Sequence, residues 1–186
     1  MIDAAIGLIT SQLNQHLRGG LQSGEDVVVM SGLVEQDGNV PPHVMNRVLA
    51  FLVNIEREST PLASNNRLGD RLAVSSAPVH LNLQVMFAAN FGNYRESLKF
   101  ISHTIGFFQA RPVLDHHNTP DLDHRLDKLA LSIESLSLSE LSNLWSILSG
   151  KYVPSVLYKV RLITFDSDWA KGRLPAITRP EVSAHA

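Results

Sequence analysis

Asp115, His116, His117, Asp121, Asp123 and His124 crowd into one short stretch of the chain. Carboxylates and imidazoles of this kind hold zinc or manganese in many proteins. Their spacing, however, matches no short ligand motif. The surrounding segment LDHHNTPDLDHR, residues 114–125, reads as a mobile, solvated polar loop. Asp166 and Asp168 put two carboxylates just past a strand end, a place where α/β sheets host active sites. Acid–base work would also need surroundings that separate their pKa values, which sequence alone does not supply. Asp37-Gly38-Asn39 resembles part of a calcium loop, but the remaining oxygen ligands and the closing Glu are missing, so it reads as a turn. No HExxH, GxSxG, GxxxxGKS or GxGxxG pattern occurs. The chain has no cysteine, which removes thiolate nucleophiles, disulfides and Cys-ligated zinc. The expectation is a protein without catalytic residues, cofactor or metal, and not an enzyme.

Composition points the same way. The net charge is −2 at pH 7 and Lys and Arg are scattered, which disfavours nucleic acid as a partner. Charged residues make up only 18% of the chain, below the usual quarter or so, and such a surface is easier to desolvate against another protein. No apolar run is long enough to span a membrane, and MIDAAIGLITSQLNQ lacks the basic start of a signal peptide, which fits assembly in the cytoplasm.

The elements that would position any site follow from periodicity. Ile2, Ile6, Ile9, Leu13 and Leu17 recur at helical spacing, with Gly19-Gly20 as the stop. Val27–Met30 is a short strand, and residues 35–44 form a turn region. Met45–Arg57 is a strand apolar on both faces at one end: Leu49, Phe51, Val53 and Ile55 against Val48, Ala50 and Leu52. His80–Ala89 alternates cleanly. Asn93 and Glu96 open a second helix with the stripe Leu98, Ile101, Ile105 and Phe108, ended by Arg111-Pro112. A strand through Leu129, Leu131 and Ile133 has one solvated face. Ser137 and Glu140 cap a helix bearing Leu138, Leu141, Leu144, Trp145 and Leu148 that stops at Gly150. Ser155–Ile163 is the last strand, with Val156, Tyr158, Val160 and Leu162 on one face. The fold class is α/β: one domain over residues 1–165, a mixed sheet of about five strands flanked by about three helices, and a polar tail over residues 166–186. Some pairings in the back half, where helices separate the strands, are expected to be parallel.

Without a chemical centre, candidate residues are those that meet partners. Arg57, Arg67 and Arg71 form a basic rim along the aperiodic segment Ser59–Pro78, which reads as a disordered loop or an arm ordered by a partner. Tyr158 and Arg161 on the last strand and Trp169 in the tail complete the candidate interface. An exposed edge, Val27–Met30 or Ser155–Ile163, could accept a partner strand.

Several long stretches carry a family likeness: MIDAAIGLITSQLNQHL, VVVMSGLVEQDG, NRVLAFLVNIERE, PVHLNLQVMFAANFGNYRESLKFISHTIGFFQARPVL, NTPDLD and LSLSELSNLWSILSGKYVPSVLYKVRLITFD. Together they run from about residue 2 to residue 166. In these the chain resembles the tail terminator, or cap, proteins of phage-tail-like contractile injection systems of the antifeeding-prophage type. The resemblance implies a structural protein that forms a hexameric ring at the baseplate-distal end of the particle. It would end polymerisation of the inner tube protein, dock the last layer of sheath protein, and leave the cell with the released particle. The alternatives are a baseplate or connector component of the same machine, or a small metal-dependent hydrolase using the His116, His117 and His124 loop.

Overall fold

In the computed structural model, which describes residues 1–21, 25–35, 38–58, 79–148 and 151–165, the alternation of three long strands decides the architecture. These are β2 (Arg47–Arg57), β3 (Val79–Asn90) and β6 (Ser155–Phe165), and they lie side by side, antiparallel. The short strands β1 (Val28–Met30), β4 (Val113–Asp115) and β5 (Lys128–Glu134) extend them into one sheet of order β1-β2-β3-β6-β5-β4. The mixed single-sheet α/β reading holds. The sixth strand is β4, in a segment that reads as loop from sequence. Among the described residues the parallel pairing is β1 with β2, in the front half, not between the helix-separated strands of the back half.

Each face of the sheet builds its own core. Val48, Ala50, Leu83, Val85, Phe87, Tyr158 and Val160 point to one side, under α1 (Ile2–Leu21) and α2 (Tyr94–Ala110). Leu49, Phe51, Met86, Ala88 and Leu157 point to the other, under α3 (Leu138–Ile147). The double-sided apolar run of β2 is what this requires, because successive side chains leave opposite faces. A bulge between Leu52 and Asn54 breaks the alternation. It brings Ile55 opposite Leu83, on the α1/α2 side and 43% exposed, rather than beside Leu49 and Phe51 as the plain pattern predicts. The strand also begins at Arg47, not Met45, since Asn46 takes a left-handed φ of 55° and its side chain accepts from the Gly92 N–H at 3.1 Å.

Helix α1 buries Ile6, Ile9, Leu13 and Leu17, as its spacing predicts. It runs past Gly19-Gly20 to Leu21. Glycine costs a helix only about 1 kcal/mol, and each buried Leu or Ile returns roughly 1.5–3 kcal/mol, so two glycines do not force a stop. Helix α2 begins where expected: the Asn93 side chain accepts from the Arg95 N–H at 2.9 Å. Glu96 pairs instead with Lys99, at 3.7 Å. Its buried stripe is Ser97, Phe100, Thr104, Phe107 and Phe108, about one residue round from the predicted Leu98, Ile101 and Ile105. Ring area decides this rotation. Phe100 stacks on Phe91 at 4.3 Å, and Phe108 packs against Phe87 and Tyr158 at 5.1 and 5.0 Å. Leu98 is left 46% exposed.

Strand β6 lies between β3 and β5, so Ser155–Ile163 is interior and not a free edge. That correction leaves β1 and β4 as the two ends of the sheet.

Candidate functional site

The acidic and histidine-rich segment is tied to the fold by buried side chains and by its own hydrogen bonds. Leu122 and Leu126 are buried, and so is Thr119. Asp115 accepts from the backbone N–H groups of His117 and Asn118 at 2.9 and 3.0 Å. Those donors, Asn118 first, hold its carboxyl below the usual carboxylate range. His116 Nε2 lies 2.8 Å from the Leu126 carbonyl and pins the two ends of the loop together. Asp123 is engaged by the Arg125 guanidinium at 2.9 and 3.2 Å, which depresses its pKa strongly. His124 projects into solvent. Each acidic group with a shifted pKa serves loop geometry, and among the described residues no three His, Asp or Glu side chains converge on a common point. Asp37, Asp166 and Asp168 lie outside the described residues.

The α3 face of the sheet has a different character. Ser137 and Glu140 form a full capping box: the Glu140 N–H donates to Ser137 Oγ at 3.3 Å and the Ser137 N–H to Glu140 Oε2 at 2.8 Å. The Ser137 hydroxyl also donates to Glu140 Oε2, at 2.7 Å, and this bond first, then that from the Ser137 N–H, lowers the Glu140 pKa. The helix so fixed buries only Trp145, with Leu141, Leu144 and Leu148 half-covered. Leu138 and Ile147 are 85% and 79% exposed. The predicted end at Gly150 lies outside the described residues, and the helix closes at Leu148.

Trp145 stacks edge-on against Tyr152 at 5.3 Å, and its indole N–H is buried without a hydrogen-bond partner. A groove of about 380 Å³ runs along Leu138, Leu141, Trp145 and Tyr152. A second, of about 570 Å³, continues from Tyr152 to Val40 and Met45, both more than half exposed. Scattered exposed apolar residues need no explanation, but a contiguous set around an unsatisfied indole marks a surface that another protein can cover.

Beyond α3 the same face turns polar. Lys159 Nζ donates to Glu56 Oε2 at 2.9 Å, Gln84 Nε2 to Glu56 Oε1 at 2.8 Å, and Asn82 Nδ2 to Glu58 Oε2 at 2.8 Å. This ladder ties β2, β3 and β6 together across the part of the sheet that α3 does not reach.

Of the predicted interface residues, the three that are described, Arg57, Tyr158 and Arg161, do not form one patch. Arg57 is exposed at the end of β2, paired with Leu81, and strand alternation sends it to the α1/α2 side. Arg161 is exposed on β6 opposite Ala130 and points to the α3 side. Tyr158 is a correction: it is 2% exposed, in the aromatic cluster with Phe87 and Phe108, so its side chain is core and not contact surface. Burial pushes its hydroxyl up to about 12. Arg67, Arg71 and Trp169 lie outside the described residues, as do Ser59–Pro78 and the tail. Sequence reasoning missed Leu138, Ile147 and Tyr152. The first was read as core, and only the short reach of α3 over the sheet leaves it bare.

Residues 6–179 match the family model described as the Pvc16 N-terminal domain, and the chain belongs to that family. Among solved structures, the fold is similar to a chain described as the sheath/tube terminator, in the extended state, of PVC, an extracellular contractile injection system. The TM-score is 0.50 at 13% sequence identity, over 95% of this chain. This chain spans 62% of the length of that one. No curated protein matches.

Proposed function

We propose that this chain is a structural tail terminator of a contractile injection particle. It closes into a hexameric ring on the baseplate-distal end of the inner tube, stops tube growth and docks the last sheath layer. The observation that carries this reading is membership of the Pvc16 N-terminal domain family over residues 6–179, and the terminator-like fold supports it. Two features of the molecule agree. In the acidic loop, Asp115 and Asp123 are engaged by the loop's own donors. The α3 face presents exposed Leu138 and Tyr152 along one groove, a surface that a partner can cover. A terminator needs one surface that meets the tube end and others that close a ring, since rotation satisfies lateral contacts and leaves the stacking faces distinct.

The chain would assemble in the producing cell and leave with the particle. No helix among the described residues is long and apolar enough to cross a membrane. Deleting the gene should give tubes of uncontrolled length or sheaths that detach, counted by negative-stain microscopy. Particles of normal length without the chain would sink the reading. A tagged chain found at the baseplate would favour a connector role instead.

A further inference from the structure

Strand β4 is one end of the sheet, yet its outward backbone groups are already bonded. The Leu131 N–H donates to the Pro112 carbonyl at 2.8 Å, and Leu114 pairs with Leu129, so Pro112 and Leu114 bond inward to β5. Val113 and Asp115 therefore turn their backbone groups outward. The Asn118 side chain takes one group from each. Its Nδ2 donates to the Val113 carbonyl at 2.9 Å, and its Oδ1 accepts from the Asp115 N–H at 3.0 Å. The Thr119 N–H donates to the Asp115 carbonyl at 2.8 Å.

The amide that does this is itself held. The Asn118 N–H donates to Asp115 Oδ1 at 3.0 Å. The Thr119 hydroxyl donates to Asn118 Oδ1 at 2.8 Å, which fixes the end of the amide that carries oxygen. Thr119 is buried, as are Leu122 and Leu126 further along the loop, and His116 is tied to the Leu126 carbonyl. Asp115 and His116, which have the look of metal ligands in the sequence, thus help to hold one amide against one strand.

An unpaired strand edge is a template for another strand. Consider two β4 strands paired antiparallel about a two-fold axis at Leu114. Val113 of one copy then stands opposite Asp115 of the other, and such a pair exchanges its N–H and C=O groups. In that arrangement the Asp115 N–H of one copy would donate to the Val113 carbonyl of the next. These are the two groups that Asn118 occupies.

We propose that Asn118 is an edge guard: its amide stands in for the β4 strand of a second copy and keeps copies of this chain from pairing edge to edge through β4. The pairing it prevents is isologous, joins two sheets into one and stops at a dimer. This inference goes beyond the terminator reading and does not rest on it.

Hydrogen exchange and sedimentation velocity on the purified chain test this. Asn118→Ala, shown by circular dichroism to be folded, should exchange its Asp115 amide about tenfold faster than the native chain when dilute. On concentration it should form a species that the native chain does not, with the Asp115 amide slowed again. The register sets the sign of a further change. Adding Val113→Glu puts a like charge opposite Asp115 of the other copy and should abolish that species, whereas adding Val113→Lys puts an opposite charge there and should strengthen it. Asn118→Leu keeps the shape of the side chain without its hydrogen bonds and takes the place of Asn118→Ala if that variant does not fold. An Asp115 amide no faster than in the native chain overturns the guard role. So does a fast Asp115 amide with the native sedimentation profile at every concentration, or a new species on which the two Val113 changes act alike. Failure of the terminator reading shows separately, as normal tube lengths after gene deletion.

Discussion

The two faces of the sheet share strands and differ in cover. On one side α1 and α2 lie over Phe87, Tyr158 and Val160, and the buried apolar side chains close over one another. On the other, a shorter helix seals Leu49, Phe51 and Met86 with one tryptophan and leaves Leu138 and Ile147 in solvent. The sealed face explains why the domain folds. The half-covered face explains why it need not stay alone. Helix α3 has enough apolar surface for two contacts and makes one.

That contrast can be broken most forcefully from the sealed side. Phe108→Ala removes a ring that touches Phe87, Phe107 and Tyr158 and should cost about 3–5 kcal/mol, read as a lowered midpoint in urea. A loss under about 1 kcal/mol would mean that face is not the dominant core. Ser137→Ala dismantles the α3 capping box and should cost about 1 kcal/mol, seen as faster exchange of the Glu140 and Leu141 amides while α1 is unaffected. If α1 loosens equally, the two faces unfold as one and α3 is no separate, lightly held element.

Smaller effects sharpen the picture. The Tyr158 hydroxyl is buried without a partner, so Tyr158→Phe should be neutral or stabilising by up to about 1 kcal/mol. Its pKa of about 12 lies above the ordinary phenol value because burial penalises the phenolate. The corresponding stability is therefore complete below about pH 10 and is lost as pH rises toward 12. Absorbance titration should show one late-ionising tyrosine of the three in the chain, absent in Tyr158→Phe. Least of all, Leu138→Gln with Ile147→Gln should move the unfolding midpoint by no more than about 0.5 kcal/mol. A large loss would show that these side chains pack in the free protein.

How much of this was legible in the residues depends on the range of the cause. The α1 stripe, the two-faced β2, both helix starts and the Arg111-Pro112 stop are local matters of spacing and capping, and the sequence carries them. The alternation Val156, Tyr158, Val160 also pointed Tyr158 inward, against its choice as an interface residue. What could not be read was set at a distance. The bulge after Leu52 depends on pairing with β3. The rotation of α2 depends on which rings meet Phe87 and Phe91. The interior place of β6 depends on strand order. The exposure of Leu138 depends on how little of the sheet a helix of α3's length spans, and the closing of β4 by Asn118 on a turn folding back over its own strand.

The most direct test of the central claim combines the two faces in one assay. A deletion strain is complemented with Leu138→Glu/Ile147→Glu, shown by thermal melting to be folded, and tube lengths are measured by negative-stain microscopy. Uncontrolled lengths like those of the uncomplemented deletion are predicted, because the protein is intact and its uncovered face is spoiled. Restored, uniform lengths would contradict the account.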